Sequence, residues 1–216
     1  PDGKHLISAS GDRGDVKDAS VRLWEAATGR EVRRLLREED GQTMAALALS
    51  PDGKTLAAGW GDRIHLVEVP AGRVRGLCRM PTGRLECVRF DPDGRRLAAA
   101  FVFVGVCLFD VKTTELVWQN KDQPTNSWSE GVAFAPDGKT LAAATSRKGP
   151  MRLLDAATGK EVRPFKGKHN AAAPLAFSRD GKRIFSGGWG RNGIIWDVTT
   201  GKPVGALNPP LSLSLI

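Results

Sequence analysis

The stretch SPDGKTLAAGWGD, Ser50 to Asp62, decides how this chain is read. It opens on a tight turn, in which Pro51 and Asp52 favour initiation and Gly53 supplies the positive φ that such turns require. A strand of small and apolar residues follows, and then a tryptophan set between two glycines. The turn recurs along the chain. PDG stands at Pro1, Pro51, Pro92 and Pro136, and RDG takes its place at Arg179, at steps of 50, 41, 44 and 43 residues. Self-similarity at such a period marks a repeat architecture.

The copies share their surroundings, except that the first begins at its turn and has no strand before it. Before the turn comes an alternating strand: AALALS (45–50), LECVRF (85–90), GVAFA (131–135) or PLAFS (174–178). After it comes a small, apolar strand: KTLAAG, RRLAAAF, KTLAAAT or KRIFSGG. A third strand ends in an acidic residue and a second turn, as in VRLWEAATG, CLFDVKTTE, MRLLDAATG and IIWDVTTG. A fourth leads out: REVRRLL, RVRGLC, ELVWQN, KEVRPF and KPVGAL. Four short strands per roughly 43 residues, with no sustained helical period, predict an all-β fold. A lone four-stranded sheet cannot cover both of its faces, whereas radial stacking covers them and leaves only short edges. The spacing therefore predicts a β-propeller of four-stranded antiparallel blades, with five blades at about 1–36, 44–79, 85–119, 130–166 and 173–207 of one domain.

The recurrence resembles the WD-repeat β-propeller family over almost the whole chain. Its fullest copy is LAFSRDGKRIFSGGWGRNGIIWDVTTGK, Leu175 to Lys202, with a literal Trp196-Asp197; blade one has the degenerate Trp24-Glu25. The resemblance implies a structural tetrad of His, Ser or Thr, Asp and Trp within a blade. Ser8, Asp18 and Trp24 match three of its places in blade one, and His169, Ser186 and Trp196 match in the last blade, where Gly190 stands in place of Asp. Blade two keeps Asp62 but has Ala58 and Glu68 at the other places. The implied role of these residues is structural, not catalytic.

Composition narrows the function classes. Of 216 residues, 41% are hydrophobic and 26% charged, which argues for a globular chain rather than a disordered one. The net charge of +8 favours acidic partners, but the arginines are spread along the chain, as on a solvated surface. Cys78, Cys87 and Cys107 are an odd set without CxxC spacing, so neither a disulfide framework nor a zinc site is expected. The longest apolar run, Leu97 to Phe109, is too short to span a bilayer as a helix. A cytoplasmic location is expected. The chain begins PDGKHL without methionine, so it is read as part of a longer protein. The terminal LSLSLI (211–216) alternates like AALALS and could serve as the inner strand of blade one, so 208–216 are read as a candidate closing strand, against the rival reading of an arc cut from a larger ring.

Function is expected on one rim, where the loops between second and third strands meet those between blades. Trp60, Trp128, Trp189, Phe101, Phe103, Arg63 and Arg191 are the expected partner-binding residues there, because tryptophan and arginine dominate interface hot spots. The reading is a non-enzymatic protein-interaction scaffold that binds a protein or peptide, without membrane insertion, cofactor or metal. The resemblance also implies repeats of bacterial type, fused to a kinase or other signalling domain. Two alternatives stay open. DVKTTELVW (Asp110–Trp118) resembles the tryptophan docking motif of quinoprotein propeller enzymes, with Thr114 in place of Gly. The basic, aromatic rim loosely fits a single-strand nucleic-acid binder, for which no recognised module is present. P-loop, HExxH and nucleophile-elbow motifs do not occur.

Overall fold

A computed structural model describes residues 3–10, 20–37, 45–120, 129–145, 151–166, 175–187 and 193–207. The closing-strand segment 208–216 lies outside them. The strands are β1 (His5–Ser10), β2 (Ser20–Glu25), β3 (Glu31–Arg37), β4 (Ala46–Leu49), β5 (Thr55–Trp60), β6 (Arg63–Glu68), β7 (Val74–Arg79), β8 (Arg84–Phe90), β9 (Arg96–Val102), β10 (Gly105–Asp110), β11 (Leu116–Asn120), β12 (Ser129–Phe134), β13 (Thr140–Thr145), β14 (Arg152–Asp155), β15 (Glu161–Pro164), β16 (Leu175–Phe177), β17 (Arg183–Ser186), β18 (Gly193–Asp197) and β19 (Pro203–Leu207). They form five antiparallel meanders, β1-β2-β3, β4 to β7, β8 to β11, β12 to β15 and β16 to β19. A cleft of about 700 Å³ lies between the first two sheets, lined by Ile7 and Leu23 of one and Leu47, Leu49 and Leu56 of the other.

Alternation along the second strands joins the blades. Side chains of a strand point to opposite faces in turn. On β9, Leu97, Ala99 and Phe101 pack with Ala57, Ile64 and Leu66 of the preceding blade. Their neighbours Ala98 and Ala100 pack with Val132, Leu141 and Ala143 of the following one. The same parity puts Leu56, Ala58 and Trp60 against Val21 and Leu23, and Ala142 and Ala144 against Leu175 and Ile184. Four interfaces thus make four apolar clusters. The runs of alanine on β5, β9 and β13 keep both faces small enough for close approach. The three cysteines are free and buried within this packing. Burial pushes the Cys107 thiol up to about 12; burial, with Asp110 adding to it, does the same for Cys78.

The turns explain why PDG recurs. Gly94, Gly138 and Gly181 hold φ of +69°, +68° and +70°, and each sits over the proline ring of the preceding blade's turn: Pro51, Pro92 and Pro136 respectively. Each turn is thus the seat of the next. Inside the turn the aspartate is a cap. Ser50 Oγ donates to Asp52 Oδ1 at 2.6 Å, and Lys54 N donates to the same oxygen at 3.0 Å. Ser178 and Asp180 repeat this at 2.6 Å.

A second set of contacts ties the outer strands. Each fourth strand docks beneath the turn between third and fourth strands of the next blade. Arg33 Nη1 donates to the Ala71 carbonyl at 2.6 Å, and Trp118 Nε1 and Asn120 Nδ2 donate to the Ala156 and Gly159 carbonyls at 3.2 and 2.7 Å. Lys166 N donates to the Gly201 carbonyl at 2.8 Å. At Gly159 (φ +71°) an added Cβ would meet the Trp118 ring at 2.6 Å. In blade three Thr114 takes the left-handed turn position, at φ 63°, that glycine holds in the other blades. The sequence motif around Trp118 therefore describes a joint between blades.

Candidate functional site

The described part of the expected binding rim lies where blades two and three meet. Its wall has three pieces: the Gly61-Asp62 turn, the linker 80–84 and the turn at Phe103-Val104. The linker is hooked on, since Met80 N donates to the Asp62 carbonyl at 3.0 Å and Leu85 N to the Gly61 carbonyl at 2.8 Å. It then runs hard against the third piece. Gly83 holds φ +108°, and a Cβ there would come within 2.6 Å of Val104 Cγ2. Gln119 Nε2 donates to the Val104 carbonyl at 3.2 Å.

Phe103 stands at the top of this wall. Its φ of 64° is a left-handed conformation that is rare for a bulky residue, and strained positions of this kind cluster at functional sites. The residue is 62% exposed. The backbone on its C-terminal side is pinned while the side chain is free, so a large apolar contact area is held ready at little entropic cost.

Two expectations for this rim are corrected. Trp60 is 2% exposed and Phe101 is fully buried, so neither ring faces solvent. Trp60 pairs with Arg63 across the Gly61-Asp62 turn and is the last residue of β5, in phase with Leu56 and Ala58 against blade one. Phe101 is in phase with Leu97 and Ala99 against blade two. Both are packing wedges. Arg63 is half-buried on β6, 3.5 Å from Asp62. Trp128, Trp189 and Arg191 lie outside the described residues, as do Asp18 and His169.

The tetrad positions within the described residues join tryptophan to serine. Trp196 Nε1 donates to Ser186 Oγ at 2.8 Å in a buried setting, and the indole meets Phe165 edge-on at 5.8 Å. Trp24 Nε1 donates to Ser8 Oγ at the same 2.8 Å, nearer the surface. Blade two has a different pair. The His65 ring stacks on Trp60, centroids 4.7 Å apart, and Trp60 Nε1 and both His65 nitrogens are buried without hydrogen-bond partners.

Burial, and after it the charges of Arg63 and Arg79, hold His65 below its ordinary pKa of 6.5. A histidine kept neutral in the fold takes up its proton more readily in the unfolded chain. Stability from this site is therefore complete above about pH 6.5 and is lost as pH falls through and below that value. Melting temperature should drop between about pH 7.5 and about pH 5, and His65→Leu should flatten that part of the profile. An unchanged slope in the variant would refute this assignment.

The acidic residues of the repeats are committed to turns. Asp110 accepts from Lys112 N and Thr113 N, each at 2.8 Å, and Asp155 and Asp197 accept from Thr158 and Thr200 in the same way. The backbone N–H of Thr113 and the Thr158 hydroxyl are the leading causes that hold Asp110 and Asp155 below the usual carboxylate range. Some of the arginines are ion-paired: Arg22, Arg73, Arg84 and Arg152 pair with Glu31, Glu68, Glu86 and Glu161. Among the described residues no cluster of metal-ligating side chains occurs, and no helix is long and apolar enough to cross a membrane.

Comparison with known proteins fits this geometry. The model of the WD domain, G-beta repeat, matches residues 169–197. The chain is 27% identical over 151 residues to WD repeat-containing protein SL1-17 of Schistosoma mansoni, covering 68% of this chain and 47% of that protein. It is also 27% identical over 208 residues to a guanine nucleotide-binding protein subunit beta of Oryza sativa subsp. japonica, covering 88% and 52%. It thus spans about half the length of these curated relatives. The β-propeller domain of Cps50 (Swd1) from Myceliophteria thermophila superposes with a TM-score of 0.76 at 19% identity, over 99% of this chain and 65% of that one. With its five meanders stacked turn upon turn and its literal Trp196-Asp197, the chain carries a WD, G-beta repeat at residues 169–197 and is similar along its length to WD-repeat β-propellers.

Proposed function

We propose that this chain is a non-enzymatic protein-interaction scaffold that binds a protein or peptide partner on the rim between blades two and three. The observation that carries the reading is Phe103, an exposed aromatic in a left-handed turn whose next residue, Val104, is held by a hydrogen bond from Gln119 and lies close against Gly83. Exposed aromatics on rigid supports are the usual anchors of binding hot spots. The relatives support the general class: one is a subunit of a guanine nucleotide-binding protein, and WD propellers are platforms for protein contacts. The repeat carboxylates, committed to turns, favour a scaffold over an enzyme. The ion-paired arginines favour it over a nucleic-acid surface. Trp128, Trp189 and Arg191 remain part of the proposed rim on sequence grounds.

A photo-crosslinking phenylalanine analogue at position 103 tests this, with the same analogue at Val162 on an outer strand as control. A partner crosslinked at 103 and not at 162 is expected, and Phe103→Ala should weaken its binding by about tenfold or more while leaving the melting temperature within about 2 °C. Equal labelling at both positions would contradict the proposal.

A further inference from the structure

Among the described residues each sheet ends on the outside in a strand with one unpaired edge, and such edges invite pairing with another chain unless charge or proline blocks them. Four of the five outer strands carry such a block. β3 (EVRRLLR) and β7 (VRGLCR) bear arginines, β15 (EVRP) bears both charge and proline, and β19 (PVGAL) opens on proline. β11, LVWQN, has neither. It is the terminal strand of its sheet. Its first two residues, Leu116 and Val117, are 44% and 51% exposed. The strand is bulged here, since Phe109 pairs with Leu116 and Leu108 with Trp118, which leaves Val117 as the extra residue; both Leu116 and Val117 are open to solvent beside the edge.

The strand is also held rigid. Trp118 and Asn120 are anchored on the next blade through the Ala156 and Gly159 carbonyls, and Thr114 bears on Gly76 of the preceding one. These two docking points place cations at both ends. Arg75, beside Gly76, and Lys160, beside Gly159, are exposed. Lys112 is exposed near the strand start, and Glu115 offsets one of these charges. The net charge of +8 disfavours a second copy of this chain as the occupant.

We infer that the free edge of β11 is a strand-addition site for an extended partner segment with alternating aliphatic residues and acidic flanks. Main-chain hydrogen bonds would supply affinity, Leu116 and Val117 would cover the aliphatic side chains, and Arg75 and Lys160 would meet the acidic ends. This surface lies on the outer circumference and is independent of the Phe103 rim.

The probe is a short fluorescein-labelled peptide of alternating valine and threonine with two aspartates at each end, titrated into the full chain and followed by anisotropy. Saturable binding is expected. Val117→Lys, and separately Leu116→Lys, should weaken it by about tenfold or more, whereas Val32→Lys on the arginine-bearing β3 should change it by less than about twofold. A peptide with lysine flanks should bind more weakly, and Phe103→Ala should leave binding unchanged, so failure here and failure of the rim reading are told apart. Absence of saturable binding, or equal losses from Val32→Lys and Val117→Lys, would overturn the inference. So would sedimentation showing that the chain pairs with itself and that Val117→Lys abolishes the pairing.

Discussion

Trp196→Ala is expected to cost about 3–5 kcal/mol, and Trp60→Ala a similar amount, because each removes a buried indole from an interface between blades. For a chain of this size that lowers the melting temperature by roughly 10 °C. Phenylalanine in place of either indole separates the two sites. At position 196 the Nε1 donor to Ser186 is lost and a buried hydroxyl is left without its partner, which should cost about 1–3 kcal/mol beyond the volume change. At position 60 the Nε1 group has no partner, so Trp60→Phe removes a buried unsatisfied donor and should cost less than about 1 kcal/mol beyond the volume change. Equal melting temperatures for the two phenylalanine variants would contradict the hydrogen-bond assignment. Because blades contact only their neighbours, the loss should be local, with Trp196→Ala loosening blade five before blades two and three.

The second large effect is expected at Asp91. Its carboxylate is almost wholly buried and accepts from Arg95 N, Arg96 N and Arg96 Nε at 2.8, 3.0 and 2.8 Å. Arg96 in turn spans the joint to blade four, where Nη2 donates to the Gly138 carbonyl at 2.7 Å and the guanidinium lies 5.7 Å over Phe134. Asp91→Ala removes the turn cap and strands a partly buried guanidinium, at an expected cost of about 2–4 kcal/mol. Serine holds this place in blades two and five, where Ser50 and Ser178 Oγ accept from Thr55 N and Arg183 N at 2.9 and 3.0 Å. Asp91→Ser should therefore recover the turn but not the joint, and fall between wild type and Asp91→Ala in urea unfolding. A serine variant no better than alanine would show that the turn cap contributes little.

The repeat punctuation made the strands and turns legible, because PDG and the acidic third-strand ending are local signals. Glycine-to-proline seating of one turn on the next was not legible, since it joins residues some forty positions apart. The same holds for Arg96 on Gly138 and Trp118 on Ala156. The misplaced rim aromatics have a local cause. GWGDR reads as a loop because it is rich in glycine, yet Gly61, at φ 54°, makes the reversal in two residues and leaves Trp60 in the strand. Counting by twos from Leu56 then sends the indole into the blade interface. In FVFVG the strand runs through Val102, which sends Phe101 inward, and Phe103 rather than a glycine takes the left-handed turn. Strand parity alone does not separate the two phenylalanines, which lie two residues apart; the end of β9 at Val102 and the left-handed turn at Phe103 do.

The central claim is that the second strand of each of the three middle blades, β5, β9 and β13, is sandwiched by alternating parity between the blades before and after it. Amide hydrogen exchange read strand by strand tests it most directly. Slowest exchange is predicted in β5, β9 and β13, whose described side chains are almost all buried, and fast exchange in the outer strands β7 and β15. Protection highest in the outer strands, or uniform across each blade, would contradict the claim.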